Sequence, residues 1–177
     1  LLKAEYLLEA GRIDAVEGLF YNAMEYYSQA MTIYQKLGFV KGMVETFQEM
    51  SSVQLDRGEA SKGCVTLQQA LLLSKEHNLQ VIQAKVHSSL GIALIQLNEY
   101  DMALNHLHTA QKLNRKIGNK HAEARSLGNL AVVYKHLGDY DKALETYKQA
   151  LLYNRQIENK RDEGIVLANI ASLYFSK

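Results

Sequence analysis

The sequence predicts an all-α chain of antiparallel helix pairs stacked one on the next, an α-solenoid. Three observations carry that expectation. The 177 residues align with themselves at a period of 40 without a gap. One column of that alignment reads Ala30, Ala70, Ala110, Ala150, and a second, seven residues earlier, reads Ala23, Gly63, Ala103, Ala143. Between them stand Tyr27, Leu67, Leu107 and Tyr147. Within a block, apolar residues recur at helical spacing: Leu127, Leu130, Ala131 and Tyr134 fall at i, i+3, i+4 and i+7, one face of a helix. Proline is absent and 47% of the residues are hydrophobic, with Leu, Ala, Gln, Lys and Glu plentiful, a composition that favours helix.

Taken in order, the blocks are 1–40, 41–80, 81–120, 121–160 and a partial fifth, 161–177, read together as one domain over 1–177. Block one is the most divergent. Asp14 and Glu17 stand where block four has Tyr134 and Leu137, which leaves its first helix open to a shift of register. In block four the first helix breaks at Leu137-Gly138-Asp139-Tyr140, with Gly138 suited to the left-handed position after a helix end. A second helix then starts at about Asp141, with Ala143, Leu144, Tyr147, Ala150 and Leu151 on one face. Small residues mark where two helices approach closely, and Tyr or Leu fills the space beside them. A single pair cannot bury such a face alone, so it must stack on its neighbours. Block ends rhyme as well: residues 114–120 read NRKIGNK and 154–160 read NRQIENK.

These columns resemble the tetratricopeptide repeat. The family pattern is met in block four through Leu127, Leu130, Ala131, Tyr134, Gly138, Tyr140, Ala143, Tyr147 and Ala150, and in block three through Leu90, Gly91, Leu94, Tyr100, Ala103, Leu107 and Ala110. The usual unit has 34 residues and ends in proline; 40 residues without proline implies a longer second helix. The 40-residue form is similar to the repeats of kinesin light chains, of Pins-type polarity adaptors and of bacterial signalling proteins. The resemblance implies a right-handed superhelix whose first helices line a concave groove.

With the buried stripe assigned, helical spacing gives the opposite stripe of each first helix. It is Arg125, Asn129, Val132 and His136 in block four, Lys85, Ser89, Ile92 and Gln96 in block three, and Ile165, Asn169 and Ser172 in the last segment. In blocks two and one it is Glu45, Glu49, Ser52, Asp56 and Glu5, Glu9, Arg12, Val16. The candidate peptide-binding residues are therefore Lys85, Ser89, Ile92, Arg125, Asn129, Val132, His136, Asn169 and Ser172. Asn129 and Asn169 share a column in which the resemblance implies asparagines that grip an extended peptide backbone, and a carboxamide offers both the donor and the acceptor such a backbone needs. The stripe also changes sign. Blocks one and two carry net charges of −2 and −1, blocks three and four +3 and +1, so acidic partner residues are expected opposite the later blocks. The lysine–asparagine clamp that binds chaperone C-terminal tails has no match here: its positions hold Leu8 and Arg12, Thr46 or Phe47 and Ser52, and Ser88 and Ile92.

Other chemistries find no support. Twenty basic against 19 acidic residues argue against nucleic acid as a partner. The tyrosine-rich stretch Tyr21 to Tyr34 has little basic charge interleaved and reads as packing. No apolar run nears the ~20 residues of a membrane span, so no membrane contact is expected. His106 and His108 sit two apart on a helix and face away from each other, and no Cys/His cluster, phosphate loop or nucleophile–base motif appears, so neither cofactor, metal nor enzymatic activity is expected. The single cysteine, Cys64, excludes an internal disulfide and fits a reducing, cytoplasmic setting; it reads as a small apolar residue of a helix interface. The chain begins at Leu1 and ends on a first-helix pattern (Leu167, Asn169, Ile170, Ala171, Tyr174) that is apolar on both sides, with Ile165, Val166, Leu173 and Phe175. That pattern implies a parent protein continuing past Lys177, with any leader or anchor outside this segment, and self-association through the last helix when the segment stands alone. The function expected is an interaction scaffold for a protein or peptide. The alternatives are a sensory or regulatory module of a larger signalling protein, such as a kinase, a diguanylate cyclase or a transcription regulator, or a purely structural spacer.

Overall fold

A computed structural model describes residues 1–176; Lys177, the last residue of the fifth block, lies outside the described residues. Nine helices and no strand occur among them: α1 (Leu2–Val16), α2 (Phe20–Leu37), α3 (Val40–Asp56), α4 (Ala60–Glu76), α5 (Gln80–Gln96), α6 (Tyr100–Ile117), α7 (Lys120–His136), α8 (Tyr140–Gln156) and α9 (Lys160–Ser176). The chain is all-α, of the helical-solenoid class. From Phe20 on, a helix starts every 20 residues, half the sequence period, because each block is one helix and its return. The two helices have 17 residues each in the pairs α3–α4 and α7–α8, while α2 with 18 exceeds α1 with 15 and α6 with 18 exceeds α5 with 17. The second helices, at 17 or 18 residues, are in no pair shorter than the first.

The turns carry the period most strictly. Left-handed residues follow the helices at intervals of 20: Gly18, Gly38, Gly58, Asn78, Asn98, Gly118, Gly138 and Glu158. At Gly138 (φ 78°) the chain reverses through a Schellman cap. The amide of Asp139 donates to the carbonyl of Tyr134 at 3.0 Å, and the amide of Gly138 to Lys135 at 3.1 Å. The Asp139 side chain then accepts from the Lys142 amide at 3.2 Å, so α8 is capped one residue before it begins. Glu158 adopts the same conformation (φ 55°) with a side chain, which is unfavourable by about 1 kcal/mol.

The chain divides into two compact units, the first Leu1–Ser89 and the second starting at Leu90. In the first, Ala4, Leu7, Ala30 and Tyr34 form one buried cluster, joined by Phe39 and Met43. Leu8, Ala23, Tyr27 and Val53 form a second, with Met24 and Met50 at its edge. Each large side chain buried here contributes on the order of 2 kcal/mol. Alpha1 is in register with the other first helices, since Ala4 occupies the column of Val44, Ala84 and Ala124, all with no exposed surface. Asp14 is tolerated in place of a tyrosine because it is only half-buried. The joint between α2 and α3 is aromatic: Tyr34 and Phe39 have ring centroids 5.6 Å apart over Gly42.

The second unit buries Leu107, Leu130, Ala131, Tyr147 and the alanine columns. Its joints are ionic. Arg115 donates to Glu123 from both Nε and Nη2 at 2.8 Å across α6 and α7, and Arg155 Nε donates to Glu163 at 2.7 Å across α8 and α9. Hydrogen bonds from Arg155 and Lys160 hold the Glu163 carboxyl below its ordinary pKa, and the bond to Glu123 with its charge raises that of Arg115. The outer helices lack one neighbour each. Tyr6 and Ile13 of α1 are exposed, whereas their 40-residue counterparts Thr46 and Val53 are buried. In α9, Val166 and Leu173 are buried, but Leu167 and Tyr174 are 44% and 63% exposed, although Leu127 and Tyr134 in the same columns are covered by α8.

Candidate functional site

The face left open by this packing is the stripe opposite the helix-pairing columns of the first helices. In the second unit α7 presents Arg125 and His136 exposed, with Asn129 and Val132 half-buried between them. Alpha7 also meets α9 directly, and Lys135 Nζ donates to Ser172 Oγ at 2.8 Å. Asn169 of α9 is half-buried and Ser172 exposed. Neither Asn129 nor Asn169 makes a hydrogen bond to another described residue, so both amides keep a donor and an acceptor to offer. The His136 ring stacks on Tyr100 at 5.2 Å and 14°. On α5, Lys85 and Ile92 are exposed and Ser89 is half-buried.

The corresponding stripe of the first unit has another character. None of Glu5, Glu9, Arg12, Val16, Glu45, Glu49, Ser52 and Asp56 is buried. Arg12 ties α1 to α3: its Nε donates to Glu49 Oε1 at 2.8 Å and its Nη1 to Glu9. Partial burial works against the guanidinium charge, and the two carboxylates more than offset it, leaving the Arg12 pKa raised. Beside this pair opens a cleft of about 330 Å³ lined by Arg12, Val16, Tyr27, Glu49, Ser52 and Asp56, among others. Tyr27 comes from α2. It reaches the cleft because Gly11 has no side chain; a Cβ there would lie 2.4 Å from Tyr27 Cε1. Burial first, then the nearby Glu49, push the Tyr27 phenol up to about 12.

Two features escape the sequence reading. Tyr27 looks like a packing residue by its column, and only its meeting with Gly11 reveals a second edge. A further cleft of about 220 Å³ lies on the second-helix side of the second unit, where Tyr134 Oη and His108 Nε2 are 3.4 Å apart and Lys142 Nζ sits 4.3 Å from the Tyr134 ring centroid. Cys64 is buried, and burial pushes its thiol up. Among the described residues no group of three or more His, Cys, Asp or Glu could hold a metal ion, and no helix is long and apolar enough to cross a membrane.

A tetratricopeptide repeat family model matches residues 82–156. No curated protein sequence matches the chain. Among solved structures it is similar to the apo form of RapI, at 21% identity over 94% of this chain and 61% of that one, with a TM-score of 0.86. A Rap protein complexed with Competence and Sporulation Factor matches at 22% identity over 95% of this chain and 46% of that one, TM-score 0.83. The kinesin light chain repeats of Podosopora anserina, described as nearly identical TPR-like repeats, match at 15% identity over 97% of this chain and 85% of theirs, TM-score 0.77. At these identities the likeness is one of fold, and the chain spans about three fifths of the length of RapI. Residues 82–156 thus match the tetratricopeptide repeat, and the chain shares the helix-pair fold of these solved structures.

Proposed function

We propose that the chain is a binding module that holds an extended segment of a partner protein along its first-helix faces and performs no chemistry of its own. Asn129 and Asn169 hydrogen-bond the partner's backbone, Arg125 and His136 draw its acidic side chains, and Val132 and Ser172 complete the contact on α7 and α9. Lys85, Ser89 and Ile92 are assigned the same role in the matching columns of α5. One observation carries this reading. Two half-buried carboxamides stand in one column, 40 residues apart, with their hydrogen-bonding capacity unused. The complex of a Rap protein of the same fold with Competence and Sporulation Factor lends support. A regulatory module inside a longer signalling protein is the second reading, favoured because the chain spans only 61% of RapI and 46% of the complexed Rap protein. Selection of displayed random peptides on the chain and on its Asn129→Ala/Asn169→Ala variant tests the first reading. Peptides rich in acidic residues should bind the chain and be lost from the variant. Identical peptide sets on both proteins would remove the asparagine column from the site.

A further inference from the structure

We propose that the cleft between α1, α2 and α3 is a subsite for one cationic side chain, an arginine or a lysine, of the bound partner. The charges around it are unbalanced. Glu49 and Asp56 line it beside a single cation, Arg12, whose guanidinium is already engaged by Glu49 and by Glu9 outside the cleft. Asp56 has no ion-pair partner among the described residues. An incoming anion would meet Glu49 and Asp56 and find Arg12 occupied, whereas a cation gains a free carboxylate.

The second observation is independent of charge. Tyr27 is 1% exposed, lines the cleft, and its hydroxyl makes no hydrogen bond to any described residue. The ring is enclosed while its oxygen meets the open space of the cleft, so the hydroxyl is the part of Tyr27 offered to a ligand. Gly11 is what allows it: any side chain at that position would strike the ring and drive it off the cleft. The phenol oxygen is an acceptor for an N–H, and an ammonium or a guanidinium can donate to it while pairing its charge with the carboxylate of Asp56. Ala15, Val16 and Val53 give the cleft apolar walls on which the methylene stem of such a side chain can lie while its head stays polar.

The subsite rests on the reading of the first-helix faces as the partner surface, yet it occupies the first unit alone and can fail separately. The probe is the capped peptide acetyl-Gly-Ala-Arg-Ala-Gly-amide, with its citrulline analogue as the uncharged match, titrated into the isotope-labelled chain at low salt and followed by amide shifts. The arginine peptide should shift amides of residues 12–16 and 49–56, and the citrulline peptide should not. Asp56→Asn should weaken the arginine peptide by about fivefold or more. Tyr27→Phe should weaken it without lowering the melting temperature, because the hydroxyl it removes has no partner in the folded chain. Asn129→Ala/Asn169→Ala should leave it unchanged, which separates this subsite from the asparagine face. Equal shifts with citrulline, shifts confined to other helices, or full binding by Asp56→Asn would each overturn the proposal.

Discussion

The first-helix faces of the two units use the same columns for opposite chemistry. In the first unit the stripe of α1 and α3 is acidic and is drawn together by Arg12 between Glu9 and Glu49. In the second, the stripe of α7 and α9 carries Arg125, His136 and two amides with no hydrogen bond among the described residues. The joints differ in the reverse sense, aromatic at Tyr34 and Phe39 but ionic at Arg115–Glu123 and Arg155–Glu163. What the units share is the buried set: Ala23, Ala30 and Tyr27 in one, Ala143, Ala150 and Tyr147 in the other. The scaffold is thus specified by a few buried columns, and everything facing outward is free to be spent on recognition.

The sharpest way to break that comparison is to overfill equivalent columns. Ala23→Leu and Ala143→Leu should each destabilise the chain by about 1–3 kcal/mol, read by thermal or urea unfolding. A large inequality between them would show that the two units are not built on the same packing rule. Next in size are the turns. Glu158→Gly should stabilise by about 1 kcal/mol and Gly138→Ala should destabilise by a similar amount, since only glycine adopts the left-handed conformation without strain.

Alkaline pH separates the units by mechanism. Tyr27 and Tyr147 both have phenols pushed up to about 12 from 10.0, so their neutral forms belong to the fold. The stability they confer is fully present below pH 10 and is lost as pH rises towards 12, when the unfolded phenols ionise first. For Tyr147 the cause is burial alone; for Tyr27 it is burial, then Glu49 and other nearby charges. Spectrophotometric titration of Tyr147→Phe and Tyr27→Phe at two salt concentrations should find the remaining Tyr27 transition more sensitive to salt. The smallest effect concerns the asparagines: Asn129→Ala and Asn169→Ala should each change stability by no more than about 0.5 kcal/mol.

The scaffold was legible in the sequence because its signal is redundant. Small residues recur in four blocks, the helical faces agree with them, and Gly138 lies where a left-handed residue is needed. Alpha1 read as irregular because Asp14 and Glu17 replace large apolar residues, and only the burial of Ala4, Leu7 and Leu8 beside α2 fixes its register. The open stripe was readable from spacing alone, since it is what remains after packing is assigned. Arg12's link to Glu49, 37 residues away, was not: it depends on how two first helices lie side by side, which no local pattern encodes. The same holds for Tyr27, whose role depends on the gap at Gly11, and for the cleft around Tyr134 and His108.

The central claim is that the asparagine column is the working surface. The most direct measurement is the affinity of one selected peptide for the chain and for Asn129→Ala/Asn169→Ala, beside the melting temperature of each. The account predicts an unchanged melting temperature with binding weakened by about 5- to 150-fold, about 1–3 kcal/mol, for each lost backbone contact. Equal affinity for the two proteins would contradict it and move the partner's site away from α7 and α9.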